Sequence, residues 1–600
     1  MTTTREPFQA PPGREREAPG SYRSVITVSV AVAVTVVHLL VCLVVGIGAL
    51  EPYGLISSIP VTFWLAVAAN VIAVVLLLRD RERPVLLATA VVALTTTMHG
   101  TVAFLEPMAR FPTAWLHAGY TQYVMDTHTI LPELGARFSW PGFFVMTATA
   151  IEPLSDSVPE LILRFAPLAF TLAYIPPLLV IARLLLPGWR APWLAVAIFP
   201  AVNWVGQDYY APQSLTFLLA LVILALSLTW FSGPSRLWDF KDGLTGRGSL
   251  FRPSAPVEES TRPRLLLVLT VTVVLAASAV SHQLTLYVVA LQLLTIWAVR
   301  RGPVLLISVI AALMAATWLS LGAIDFWLPW FNDVFGDVGN PAAVIDSTLA
   351  DRTRGNGDHA VVVGTRLVLT AVLMAAAGFG LFRQRRARGG IEATIPLVIA
   401  ASFALLLFQS YGGEGLLRAF LYASAFIAVA IACSFVPAGT LSIRAAAAFV
   451  VVYLAFSPFF LVARYGNESF ERVTADDVAL AECMYDAAPP GATLASISPH
   501  LAWQYTRIDS HPYVYLNGVQ FDGVNVADFI ELMPSDAPGY LIVTEPQLRF
   551  VERYLGAPDG WGDSIVARFA DDPRWRAVCT GPVGANGVVY QFVPTAGGPR

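Results

Sequence analysis

Charge is what this 600-residue chain has least of: Asp, Glu, Lys and Arg together make up only 13% of it, Lys241 is its single lysine, and the net charge is −4. A surface that tracks nucleic-acid phosphates needs clustered basic residues, so this composition excludes such a partner. An ordinary soluble fold is excluded as well, because 56% of the residues are hydrophobic and the mean hydropathy is +0.63. Metal-ligand spacings are also missing. The polar loops hold no His-x-x-x-His, no Cys-x-x-Cys and no tight Asp-x-Asp, and Asp325, Asp333 and Asp337 are too loosely spaced to argue for an ion. No metal ligand is assigned, although nothing in the composition forbids a divalent cation. Two further absences bear on function. The last quarter has no glycine-rich phosphate loop, and the apolar runs show neither an internal repeat nor a charge deep within a run, as a transporter or lipid-linked sugar flippase would require.

What the sequence does have is apolar runs of about 20 residues, each long enough to cross a hydrocarbon core about 30 Å thick as a helix. Thirteen spans are expected, at roughly 24–49, 59–78, 84–105, 162–186, 191–205, 213–231, 265–281, 284–299, 303–322, 365–382, 392–409, 418–436 and 445–464. Residues 1–23, rich in Pro, Arg and Glu, read as a disordered tail. With the tail in the cytoplasm, the short loops carrying Arg79, Arg81 and Arg83, Arg183 and Arg190, Arg300 and Arg301, and Arg383 to Arg388 all fall inside, as the positive-inside rule asks. An odd number of spans puts residues 466–600 outside. That portion alternates helical and strand patterns, with a helix at 475–488 and strands at 493–497, 539–544 and 588–593, which predicts a compact α/β domain. Of the four cysteines, Cys42 and Cys433 lie in apolar runs as packing residues. Cys483 and Cys579 lie in the last portion, where export would let them pair.

The longest outer loop, 106–161, is far longer than a connection between two helices needs and carries its own aromatic and ionisable groups. It opens at Glu106, where a low-dielectric wall can raise a carboxylate into the range of a general base. The alternative is an interfacial carboxylate paired with Arg110, one turn on. Asp208, between Tyr209 and Gln207, is a second candidate base or else a cap for the helix starting near Pro212. Asp126 is the third. Ionisable groups at the ends of spans are costly unless paired or facing water. On that ground His282, in a short turn, is a donor to a phosphate or hydroxyl or else a bonded turn residue. Arg418 is a phosphate clamp or the helical partner of Glu414. Tyr209, Tyr210, Gln213, Glu414 and His117 complete the polar set on this side.

The long outer loop, the dozen spans, the outer turns Gln207-Asp208-Tyr209-Tyr210-Ala211-Pro212-Gln213 and Ser281-His282-Gln283, and the last α/β portion together resemble the polytopic GT-C glycosyltransferases, more narrowly their actinobacterial members. The resemblance covers nearly the whole chain. It implies transfer of a sugar from a polyprenyl-phosphate donor to a cell-envelope glycan or lipid acceptor on the outer face of the plasma membrane. It implies Glu106 as base, with Arg418 and His282 toward the donor phosphate; Arg110 is a further candidate for that phosphate. Here the long loop follows the third span, and Glu106, Asp126 and Glu133 stand singly where many members carry two neighbouring acids. A glycan polymerase or ligase acting on lipid-linked oligosaccharides would use Arg and His without an essential carboxylate.

Overall fold

The computed structural model describes residues 20–48, 50, 53–234, 236–238, 251–253, 265–328, 355–407, 415–515, 526–531, 533, 537–581 and 587–593. A helix stands at each apolar run: α1 (Gly20–Val45), α2 (Val61–Arg79), α3 (Pro84–Leu105), then α4 (Pro112–Thr127) and α5 (Gly142–Ile151) within the long loop, and α6 (Glu160–Leu185). After them come α7 (Arg190–Val202), α8 (Pro212–Phe231), α9 (Leu265–Ser281), α10 (Thr285–Arg300), α11 (Val304–Leu321), α12 (Gly357–Arg388), α13 (Thr394–Leu406), α14 (Gly415–Phe435) and α15 (Ile443–Tyr465). Among the described residues, nine helices are long and apolar enough to cross a membrane. The expected spans at α7, α9, α10 and α13 are shorter. The 13 residues of α7 reach only about 20 Å at about 1.5 Å per residue.

Helices that are apolar all round belong either in a protein core or against lipid, and both kinds occur. Helix α14 is buried along nearly its whole length, with α7, α12 and α13 packed around it. At Gly380 of α12 the approach to α14 is so close that a Cβ would lie 2.0 Å from the Ala430 carbonyl oxygen. By contrast, α1 turns Val30, Val37, Leu40 and Val44 outward. One end of the bundle gathers the Arg-rich loops, through Arg183 to Glu82 at 3.0 Å, Arg190 to the Leu78 carbonyl at 2.7 Å and buried Arg300 to Glu392 at 3.0 Å. A small antiparallel sheet of β1 (Arg236–Trp238), β2 (Phe251–Pro253) and β3 (Ile391–Glu392) lies beside them.

The other end gathers the long loop and the last portion of the chain. The loop folds, because Pro112 starts α4 at its first turn and Tyr120, Phe138, Phe143 and Phe144 close an aromatic core between α4 and α5. After α15 come α16 (Glu468–Glu471) and α17 (Ala475–Ala487), the latter begun by a reciprocal Thr474–Asp477 cap. A five-stranded mixed sheet follows, in the order β5-β4-β6-β8-β7: β4 (Thr493–Ser496), β5 (Tyr513–Tyr515), β6 (Gly539–Val543), β7 (Trp575–Thr580) and β8 (Val588–Phe592). Strand β6 is buried at every position, as its unbroken apolar run predicts. Helices α18 (Val526–Glu531), α19 (Glu545–Arg553) and α20 (Trp561–Asp571) accompany the sheet.

Cys483 of α17 and Cys579 of β7 form a disulfide across 96 residues of chain. A cross-link over so long a loop restricts the unfolded chain strongly, and losing one from a small domain typically costs about 2–5 kcal/mol. Thermal unfolding with and without dithiothreitol should show a lower midpoint under reduction. An unchanged midpoint would mean that the bond adds nothing to the stability of the sheet.

Candidate active site

At the loop end of the bundle a cavity of about 340 Å³ opens between α4, the turn 206–211, the α9–α10 turn and the start of α14. The turn 206–211 presents its residues alternately. Gln207, Tyr209 and Ala211 line the cavity, while Asp208 and Tyr210 are buried behind it. From α4 come Thr113 and His117, one turn apart and so on one face. Arg137 and Trp140, on either side of Phe138, close another side.

The first turn of α14 brings Arg418 to Gln213 of α8 and to His282. Arginine only donates, so the Gln213 side-chain oxygen and His282 Nε2, the latter at 3.0 Å, are its acceptors. His282 Nδ1 lies 2.9 Å from Thr285 Oγ1 and faces the Leu284 and Thr285 N–H groups at 3.3 Å. Thr285 Oγ1 lies 2.6 Å from the Tyr422 hydroxyl, so the chain of hydrogen bonds runs on into the bundle. Gln213 is only 3% exposed and its amide nitrogen has no partner among the described residues, which places a buried donor at the wall of the cavity.

Both histidines here are neutral. Burial and the Arg418 charge pull His282 well below the usual imidazole range. Burial, with Arg137 nearby, pulls His117 down to about 3, and its Nδ1–H donates to the Tyr210 carbonyl at 2.9 Å. Its ring stacks on Tyr209 with centroids 5.8 Å apart. The positive charge of the cavity therefore comes from Arg418 and Arg137, and no carboxylate is among its described lining residues. Arg137 was not singled out from the sequence, although it is the one arginine in the second half of the long loop.

The three carboxylates expected to act as base lie elsewhere. Asp208 is 1% exposed, 2.7 Å from Arg464 of α15, and accepts from Thr171 at 2.8 Å and Asn203 at 3.3 Å, with His99 of α3 at 3.4 Å. Although burial opposes ionisation, Arg464 and His99 hold its carboxyl well below the usual range. It neither caps α8 nor reaches the cavity. Glu106 is 3% exposed with Oε1 2.7 Å from Arg472 Nε, and Arg110 contacts Glu468 at 2.5 Å and Glu471 at 3.7 Å. These residues form a charged seam between the loop and the start of the last portion, and the Val473 N–H closes it by donating to the Arg110 carbonyl at 2.9 Å. Arg110, expected toward a phosphate, is thus already held by two carboxylates. Asp126 is exposed at the far face of α4, accepting from Gln122 at 2.8 Å. Tyr210 is buried with its hydroxyl on Thr121 at 2.8 Å, so it packs behind the cavity. Glu414 lies outside the described residues. Sequence reasoning missed Arg464, Arg472 and His99 because their partners are remote in the chain. The signal available was a charge inside or beside an apolar run.

No protein-family model matches the chain. No curated protein matches it either. Among solved structures, it is similar to ArnT from Cupriavidus metallidurans bound to undecaprenyl phosphate, at 13% identity and a TM-score of 0.45, covering 86% of this chain and 98% of that one. The same protein in the apo state gives 13% identity and a TM-score of 0.44 over the same shares. A likeness of this size speaks to neither substrate nor mechanism.

Burial pushes the Glu106 carboxyl up to about 7, against the opposing pull of Arg472. The folded protein then holds that proton more tightly than the unfolded chain, so stability falls as pH rises from the ordinary carboxylate range through about 7. Thermal midpoints measured between pH 5 and pH 8 on wild type and Glu106→Gln test this. The wild-type midpoint is expected to fall relative to the variant's; parallel curves would mean that Glu106 does not titrate there.

Proposed function

We propose that this chain is an integral membrane glycosyltransferase of the inner membrane that takes a sugar from a polyprenyl-phosphate donor and passes it to a cell-envelope glycan or lipid acceptor. In this reading the N-terminus is cytoplasmic, and the cavity and the last α/β portion face outward. The observation that carries it is the cavity itself. Two guanidinium groups, a buried amide donor and two uncharged imidazoles converge on a space without a described carboxylate, which suits a phosphate.

The reaction is a single displacement. An acceptor hydroxyl oxygen forms a bond to the anomeric carbon, the bond from that carbon to the phosphate oxygen breaks, and the electron pair leaves on the polyprenyl phosphate. Arg418 and Arg137 stabilise the growing phosphate charge, and His282 and Gln213 hold Arg418 in place. The acceptor proton passes to a base. If Glu106 is that base, the seam must open to admit the acceptor; its ion pair with Arg472 and its burial support a role in holding the seam instead.

A second reading has one observation in its favour. Arg and His without a described carboxylate is the chemistry expected of a polymerase or ligase working on lipid-linked oligosaccharides.

Transfer of radiolabelled sugar from a panel of polyprenyl-phosphate sugars to a cell-envelope extract, by purified protein, tests these readings. Hydrogen bonds to charged groups are worth about 1.5–3 kcal/mol, so Arg418→Ala should lower kcat/KM for the donor ~10- to 100-fold. Wild-type transfer by Arg418→Ala would remove the cavity from the reaction. Glu106→Gln that binds donor but transfers nothing would make Glu106 the base, whereas retained transfer assigns it to the seam. Transfer only from oligosaccharide-lipids would favour the polymerase or ligase.

A further inference from the structure

Helix α4 has a second polar face. Thr113 and His117 look into the phosphate-type cavity, whereas Trp115, Ala118, Gln122 and Asp126, on the opposite side, line a groove of about 520 Å³ whose other wall belongs to the last portion of the chain. The two hollows have opposite chemistry. The groove carries Asp126, Glu482 and Asp486 against a single Arg507, so an anionic ligand is disfavoured there. Carboxylates and amides are acceptors that suit hydroxyl groups.

The groove also has an aromatic centre. Tyr505, half-buried, stands edge-on to Trp115 at 5.4 Å and to Tyr485 at 6.2 Å, and its hydroxyl donates to Glu482 at 3.4 Å. An aromatic ring ringed by hydrogen-bonding groups is the surface on which a sugar's apolar C–H face and its hydroxyls can both be satisfied.

The backbone shows that the wall is built deliberately. Gln504 and Arg507, on either side of Tyr505 and Thr506, both adopt left-handed backbone at φ 56° and 53°, which non-glycine residues seldom do. Such strain persists only where the surroundings impose it, and it clusters at functional sites. Here the surroundings include Gly119 of α4, where a Cβ would lie 1.7 Å from the Gln504 carbonyl oxygen. Arg507 is tied down in turn by donating to the Tyr485 carbonyl at 2.8 Å. Across the groove, Gln122 holds the loop before α6, donating to the Asp156 carbonyl at 3.1 Å and accepting from the Val158 N–H at 3.0 Å.

We infer that this groove is a binding site for a neutral, hydroxyl-rich oligosaccharide, gripping the acceptor glycan at a distance from the reacting end. The choice of a glycan acceptor rests on the glycosyl-transfer reading. The site itself rests on the aromatic centre, the acidic rim and the strained loop. A single helix separates it from the cavity, about 10 Å of protein, so an acceptor reaching both must be more than one sugar long.

The experiment is calorimetric titration of the full-length protein in nanodiscs with neutral hexose and pentose oligosaccharides of increasing length, and with a sulfated oligosaccharide of matched length. Binding should strengthen with length, and the sulfated chain should bind more weakly. Removing the ring in Tyr505→Ala should weaken binding ~3- to 10-fold, since an aromatic contact is worth about 0.5–1.5 kcal/mol, and filling the exposed edge in Ser157→Leu should weaken it by steric exclusion. The second variant touches neither the aromatic centre nor the strained loop, so it reports even if the first misfolds. No binding by any neutral oligosaccharide, preference for the sulfated chain, or wild-type affinity in Ser157→Leu would overturn the proposal. Donor turnover that depends on Arg418 is read separately, so failure here leaves the glycosyl-transfer reading standing, and the converse also holds.

Discussion

The ion pair between Asp208 and Arg464 is the interaction on which the arrangement of the loop end depends. Two charges this deeply buried repay their desolvation only with close geometry and further hydrogen bonds. Thr171 of α6, Asn203 at the end of α7, and His99 in a wide turn within α3 surround the carboxylate, and Arg464 also donates to the Asn203 carbonyl at 3.1 Å. Four helices are thereby fastened to one point. Because Asp208 is anchored inward, its neighbours Gln207 and Tyr209 are turned toward the cavity. Removing one partner of such a pair typically costs about 3–5 kcal/mol, since the other is left buried and uncompensated.

Around that anchor the charges are sorted by function. Acidic and basic groups meet in the seam, Glu106 beside Arg472 and Arg110 beside Glu468, and join the last portion to the bundle. The cavity keeps Arg418 and Arg137 without a described acid among its lining, and the groove keeps acids in excess. A chain of contacts links the cavity to the bundle: Arg418 donates to His282 Nε2, His282 Nδ1 meets Thr285 Oγ1, and Thr285 Oγ1 meets the Tyr422 hydroxyl.

Much of this could be read from residue order, and the part that could not has one cause. Helices announce themselves by uninterrupted apolar runs, and strand β6 by Gly539–Val543, because burial on all sides leaves a local mark in the sequence. Tyr209, Gln213, His282, Arg418 and His117 stand out in the sequence as polar groups of the outer loop, the outer turns and the span ends, and the structure brings all five to one cavity. Glu106, Asp208 and Arg110 carried the same local mark but are satisfied elsewhere. Asp208 finds Arg464 across 256 residues, and nothing near either residue records that pairing. A carboxylate beside a membrane span looks alike from the sequence whether it is a base or a fastening. The long loop likewise concealed two helices, because Tyr120, Phe138 and Phe144 form a core only once they are folded together.

The close approach at Gly119 has a geometric consequence. With the Gln504 carbonyl lodged where a side chain would stand, α4 can neither turn about its axis nor slide along it without collision. The cavity on one face and the groove on the other are therefore held in fixed register. Whatever occupies the two hollows, its span between them is gauged by the thickness of a single helix.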